Sequence, residues 1–200
     1  GVAEDKLTAY DKEYLKPLYQ SISSVSVRED SGIQLLRDYG WTNPEAVQVL
    51  DPTLLLSKND YSQLIDVAET SPLEGNMLCY ILDMTPDKKE VVSKLSESKN
   101  LKPFFLSIDG KTSVEQWLRS FRDAEYIVTD SYHGLVFSII MEKPVHLFMN
   151  KSRGNARFDS ILKLCGINDV EGFFEGIAKI QNFNGIRKLS LNFINQSLIC

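Results

Sequence analysis

The amino-acid sequence predicts an α/β fold with a mostly parallel, Rossmann-like sheet, and three observations carry that expectation. Short apolar runs alternate along the chain with helix-length amphipathic stretches. The runs at 78–82, 104–108, 126–129 and 145–149 are apolar almost throughout, as strands covered on both faces are. A polar or charged residue follows each run, which gives the sheet one chemically distinct edge.

Taken in order, residues 11–21 place Tyr14, Leu15, Leu18 and Tyr19 at helical spacing. Residues 24–27 form a short β-prone run ending at Arg28. Ser31 stands three residues before Gln34, the pattern of a capping box, and Ile33, Leu35 and Leu36 supply the buried side of a helix that Gly40 ends. Residues 47–50 are the next strand, closed by Asp51-Pro52. The polar stretch 57–76, with Pro72 and Gly75, predicts a short helix over 61–67 and then a linker.

The alternation then becomes regular. Strand 78–82 leads to helix 87–98, and strand 104–108 to helix 113–122 with Ser113 as its N-cap. Strand 126–129 leads to helix 131–141, and strand 145–149 to helix 157–164, stopped by Gly166. The tail 186–199 has helical apolar spacing.

Composition removes several function classes. Of 200 residues, 43% are hydrophobic and 24% charged, which is globular and not disordered. Twenty-two basic against 27 acidic side chains give a net charge of -5, the wrong sign for a nucleic-acid or anionic-membrane surface. No apolar run approaches the roughly 20 residues of a membrane span, and no charged-then-apolar leader opens the chain, so a soluble, cytoplasmic protein is expected. Gly1 in place of a methionine reads as the remnant of a tag, and the chain as part of a longer protein. Cys79, Cys165 and Cys200 are scattered, as in reduced cytosolic proteins. With His133 and His146 as the two histidines, no Cys-x-x-Cys or His-x-x-x-His pair exists, and no metal site is expected.

In an open α/β sheet, ligands bind beyond the carboxyl ends of the strands. The residues there are Arg28, Asp51, Asp83, Asp109, Asp130-Ser131, and Asn150 with Arg153. The segment Thr129-Asp130-Ser131-Tyr132-His133-Gly134 puts three capping residues and a histidine where a buried strand becomes a helix. That helix is apolar nearly all round and must be buried, so its positive end would welcome an anion. A first-turn histidine is often structural, yet here it adds a donor able to move a proton near neutral pH. Arg28 ends a strand among acidic neighbours, the setting of a surface ion pair. Arg153 and Arg157 offer fork-shaped donors suited to phosphate or carboxylate. No Gly-x-Gly-x-x-Gly, Gly-Lys-Ser/Thr or Gly-x-Ser-x-Gly motif is present, and Ser131 and His133, two apart, do not face each other on a helix.

An ordered set of segments resembles the polysaccharide pyruvyl transferase family: Ser26-Val27-Arg28-Glu29-Asp30-Ser31-Gly32, Leu50-Asp51-Pro52-Thr53-Leu54-Leu55-Leu56, the run from Ala124 through Thr129-Asp130-Ser131-Tyr132-His133-Gly134, Lys143-Pro144, and Arg153-Gly154-x-x-Arg157-Phe158. The resemblance implies the C-terminal part of a two-domain enzyme similar to GT-B glycosyltransferases, with 1–68 holding the last β-α-β portion of the first domain and a linker, the rest of that domain missing, and 69–200 forming the second, Rossmann-like domain with a C-terminal helix. It implies transfer of the enolpyruvyl skeleton of phosphoenolpyruvate to a sugar of a cell-surface polysaccharide or its lipid-linked precursor, giving a pyruvate ketal and phosphate. The part alone is expected to be inactive.

By the same resemblance, His133 and Arg28 match the family's donor-site residues, and Asp130, Ser131, Asn150, Arg153 and Arg157 are substrate-binding candidates. Other branches carry an arginine where this chain has Ser131, which leaves the phosphate contact to Arg153 or Arg157. No cofactor is implied, phosphoenolpyruvate being the donor substrate. A saccharide acceptor is the implied partner, with membrane contact only through a lipid-linked acceptor. Two other readings stay open at this point: a nucleotide-sugar glycosyltransferase of GT-B architecture, and a non-catalytic anion- or sugar-binding module.

Overall fold

Helices and strands alternate from end to end in the computed structural model, which describes residues 7–106, 112–149, 156–168 and 170–198. In order they are α1 (Ala9–Gln20), β1 (Ser26–Val27), α2 (Asp30–Asp38), β2 (Val47–Gln48), a 3-10 turn (Pro52–Leu55), α3 (Lys58–Asp66), β3 (Met77–Tyr80), α4 (Pro86–Lys99), β4 (Pro103–Phe105), α5 (Val114–Asp123), β5 (Tyr126–Thr129), α6 (Tyr132–Ile140), β6 (Val145–Phe148), α7 (Ala156–Leu164), β7 (Phe173–Gly176) and α8 (Phe183–Ser197). They pack as two compact units that interleave along the chain. One holds α1 to β2 with α7 and α8, and the other holds α3 to β6 with β7. Among the described residues, no helix is long and apolar enough to cross a membrane.

The larger unit is a five-stranded sheet in the order β4-β3-β5-β6-β7. β4, β3, β5 and β6 are parallel, with Leu78 level with Phe104 and Ile127, and Val128 level with His146. Every residue of β5 is buried, as expected of a central strand covered on both faces. Side chains alternate across the sheet. Met77, Cys79, Tyr126 and Val128 pack with Val92 and Leu95 of α4 on one face. Tyr80 turns to the other, edge-on to Trp117 and Phe121 of α5, and Phe137 of α6 completes that aromatic cluster.

β7 is an antiparallel edge strand, with His146 opposite Glu175, that the sequence reading does not anticipate. Its four residues Phe-Phe-Glu-Gly follow Gly172, end on Gly176 and carry too little apolar pattern to register as a strand.

The smaller unit pairs β1 and β2 in parallel, Ser26 with Val47 and Val27 with Gln48, with α2 crossing between them. Side chains from the later helices fasten the second strand. The Gln48 side chain donates to Ser160 Oγ of α7 at 3.1 Å, the Leu50 amide donates to Ser190 Oγ of α8 at 2.9 Å, and Arg187 donates to the Leu55 carbonyl.

Helix starts show where local sequence signals succeed and fail. Ser113 caps α5 by accepting from the Gln116 amide at 3.1 Å, as expected. Thr85 does the same for α4, ahead of Pro86 at a position that tolerates proline. The capping box expected at Ser31 and Gln34 does not form. α2 starts two residues earlier than that box requires, with Glu29 at the N-cap, and Ser31 instead donates its amide to Asp30 Oδ1 at 2.9 Å.

Candidate functional site

The carboxyl edge of the five-stranded sheet gathers polar side chains at the end of β5. Thr129 closes the strand fully buried, donating its hydroxyl to the Tyr80 carbonyl at 2.6 Å and accepting the Ser131 amide at 3.0 Å. One residue so joins the ends of β3 and β5 to the first turn of α6. Gly134 makes that geometry possible, because a Cβ there would fall 2.1 Å from Thr129 Oγ1.

Asp130 follows, only 1% exposed. Its carboxylate accepts the Leu82 amide at 2.6 Å, the Asp83 amide at 3.1 Å and the Lys88 ammonium at 2.6 Å. Lys88 also donates to the Asp83 carbonyl at 2.8 Å. The acidic side chain is thus engaged by the turn after β3 and by α4. Lys88 carries no motif in the sequence; the signal that could have found it is a lysine in a helix first turn, where the dipole favours acids.

Ser131 is the N-cap of α6, but its side chain makes no capping hydrogen bond. The Thr129 hydroxyl already takes the Ser131 amide, so strand and helix are joined from the strand side. α6 is buried from Tyr132 to Ser138 with one interruption, His133, which is exposed. The His133 ring stands edge-on to that of Tyr132 at 5.3 Å. A helix buried from Tyr132 to Ser138 apart from this residue therefore presents an imidazole at its N-terminal end, where the positive end of the dipole attracts anions.

Arg28 and Arg157 belong to the other unit. Arg28, just past β1, is held by Asp51, its guanidinium 2.5 Å from Asp51 Oδ2. Asp51 in turn accepts the Thr53 amide and hydroxyl at 3.1 and 2.7 Å. Burial pushes the Asp51 carboxyl up, but the bonds from Thr53 and Arg28 together outweigh it and hold the group below its ordinary value. About a third of the Arg28 side chain stays exposed beside a cavity that Val27, Leu50, Leu55, Ser190 and Ile194 also line. Arg157 is half-buried in the first turn of α7. Asn150, Arg153 and Asp109 lie outside the described residues.

Among the described residues, thiol chemistry has no support. Burial pushes the Cys79 thiol up to about 12 and that of Cys165 to about 11, so neither forms a thiolate near neutral pH. Among the described residues, no three metal-binding side chains come together. The five-stranded unit thus offers an exposed imidazole at a helix start, and the smaller unit, by itself, a carboxylate-braced guanidinium.

A family model described as polysaccharide pyruvyl transferase matches residues 1–152, which include Arg28, Asp51, Asp130, Ser131 and His133. No curated protein and no solved structure gives a significant match.

Proposed function

The chain belongs to the polysaccharide pyruvyl transferase family, and from that premise we propose that it serves pyruvyl transfer from phosphoenolpyruvate to two hydroxyls of a sugar in a cell-surface polysaccharide or its lipid-linked precursor. The observation that carries this reading is the exposed His133 on the first turn of the buried helix α6. Phosphoenolpyruvate bears a carboxylate and a phosphate, and a helix start together with arginines is a fitting receptor for both.

The reaction balances simply. C3 of the donor takes a proton and becomes a methyl group, two sugar oxygens bond to C2, and the C2–O bond to phosphate breaks. Of the two hydroxyl protons released, one replaces the proton given to C3 and the other leaves with phosphate. His133 is assigned to proton transfer, at C3 or at the attacking hydroxyl. Arg28, braced by Asp51, is assigned to the donor's charge, with Arg153 and Arg157 as further anion contacts where other branches have an arginine at the position of Ser131.

No resident cofactor enters this scheme, and the donor and a saccharide are its only small-molecule partners. We read the protein as cytoplasmic and GT-B-like. In this reading β1-α2-β2 belongs to a first domain, since two strands of two residues are too small a sheet to stand alone. These 200 residues alone are then inactive.

The test is kinetic, on the full-length enzyme. His133→Ala should lower kcat by about 10²–10⁴, the range for a general acid–base group. Arg28→Ala should chiefly raise KM for phosphoenolpyruvate, with Arg28→Lys between it and the parent, because a point charge keeps the attraction and loses the fork. A near-parental kcat in His133→Ala makes the histidine structural and overturns the assignment. Stabilisation by nucleotide sugars in a thermal-shift panel, with none by phosphoenolpyruvate, would replace pyruvyl transfer with glycosyl transfer.

A further inference from the structure

We propose that Lys88 is a positioning residue of the candidate site. Its ammonium compensates the Asp130 carboxylate, and the pair pins the turn after β3 to the start of α6, so that no uncompensated negative charge stands behind His133. The proposal rests on the reading of His133 as a group that meets an anionic donor.

Three observations support it. The Asp130 side chain has no exposed surface, and of the three groups donating to it the Leu82 and Asp83 amides are neutral while Lys88 is charged. A buried carboxylate without a counter-charge is costly, so this lysine has an electrostatic task. Lys88 also lies in the first turn of α4, where the helix dipole disfavours a cation. It stays there with its side chain 16% exposed, its ammonium shared between Asp130 Oδ2 and the Asp83 carbonyl. Finally, Asp130 directly precedes the N-cap Ser131 and is three positions from His133. An unbalanced carboxylate would repel a bound anion, and two like unit charges about 12 Å apart at an effective dielectric of about 20 weaken binding on the order of tenfold.

The experiment uses the full-length protein and three variants: Lys88→Met, Lys88→Arg, and Lys88→Met combined with Asp130→Asn. Amide exchange at Leu82 and Asp83 reads the clamp without any donor. Lys88→Met should lose about tenfold or more of the protection at both amides, while Lys88→Arg keeps it. In kinetics, Lys88→Met should raise KM for phosphoenolpyruvate by about tenfold with a smaller change in kcat. The double variant should recover most of that KM, because charge balance returns even though the clamp does not. A merely structural lysine predicts the opposite, with the double variant as impaired as the single one. Parental protection at Leu82 and Asp83 in Lys88→Met, or an unrecovered KM in the double variant, overturns the proposal. If Lys88→Met does not fold, Lys88→Gln read by the same two measures decides it. If the parent shows no turnover of phosphoenolpyruvate, the pyruvyl-transfer reading fails, and the exchange result still decides whether the clamp exists.

Discussion

Gly134 of α6 approaches Thr129 of β5 so closely that a Cβ on the glycine would stand 2.1 Å from the threonine Oγ1 and 2.9 Å from its Cβ. The hydroxyl cannot yield easily, since it is committed to the Tyr80 carbonyl and the Ser131 amide. Gly134 is not needed for an unusual φ; it is needed for space.

A methyl group at position 134 should therefore act as overpacking at the helix–strand contact. Alanine would ordinarily favour a helix interior over glycine by roughly 0.5–1 kcal/mol. Here Gly134→Ala should instead destabilise by about 1–3 kcal/mol, the usual cost of forcing atoms into a filled core. Combining it with Thr129→Ala should return part of the loss, because the obstructing hydroxyl is gone. Denaturant titration of the two single variants and the double checks this. Additive losses would mean the contact is not the cause.

The two serines at helix starts should behave differently despite identical chemistry. Ser113 accepts the Gln116 amide, so Ser113→Ala should cost about 0.5–2 kcal/mol. Ser131 makes no capping bond, so Ser131→Ala should stay within about 0.5 kcal/mol. Equal losses in thermal or denaturant melts would show that the Ser131 hydroxyl caps α6 after all.

These two positions also mark what the sequence can reveal. Ser113 was legible because its partner lies three residues on and no competitor is near. Ser131 has the same local signal, but the buried Thr129 hydroxyl takes its amide and no capping bond forms. The strands at β3, β5 and β6 and the burial of α6 were legible from unbroken apolar composition, a signal that survives tertiary context. The pairing of Lys88 with Asp130 was not, since the partners stand 42 positions apart and only the parallel register of β3 and β5 brings their turns together. Edge strand β7 escaped for the opposite reason: with Phe173 55% exposed, it is held by pairing with β6 more than by burial.

His146 of β6 supplies a prediction about acid stability. Its ring is 5% exposed, stacked on Phe173 at 4.8 Å and edge-on to Phe148 at 4.7 Å. Nδ1 lies 3.5 Å from Glu175 Oε2, within ion-pair range but outside hydrogen-bond geometry, and neither ring nitrogen is hydrogen-bonded among the described residues. The charged groups around it are Glu175 of β7 and Lys99 of α4, with the Tyr126 hydroxyl of β5 and Lys99 both bonded to Glu175 Oε1. Burial pushes the imidazole below its ordinary value of 6.5, Glu175 pulls it up and Lys99 pushes it down; burial prevails. The unfolded chain therefore binds this proton more readily than the folded one. Stability from a neutral His146 is fully present above about pH 6.5 and is lost as pH falls through the lower, folded value. Glu175, itself held below 4.5 chiefly by Lys99 and Tyr126, titrates further toward acid, so the two effects separate. Melting temperature measured between pH 7 and 5 should fall in the parent protein, and His146→Phe, which fits the same aromatic stack, should flatten part of that fall. Parallel curves for the two proteins would mean that acid enters the structure elsewhere and that Glu175 compensates the protonated ring in place.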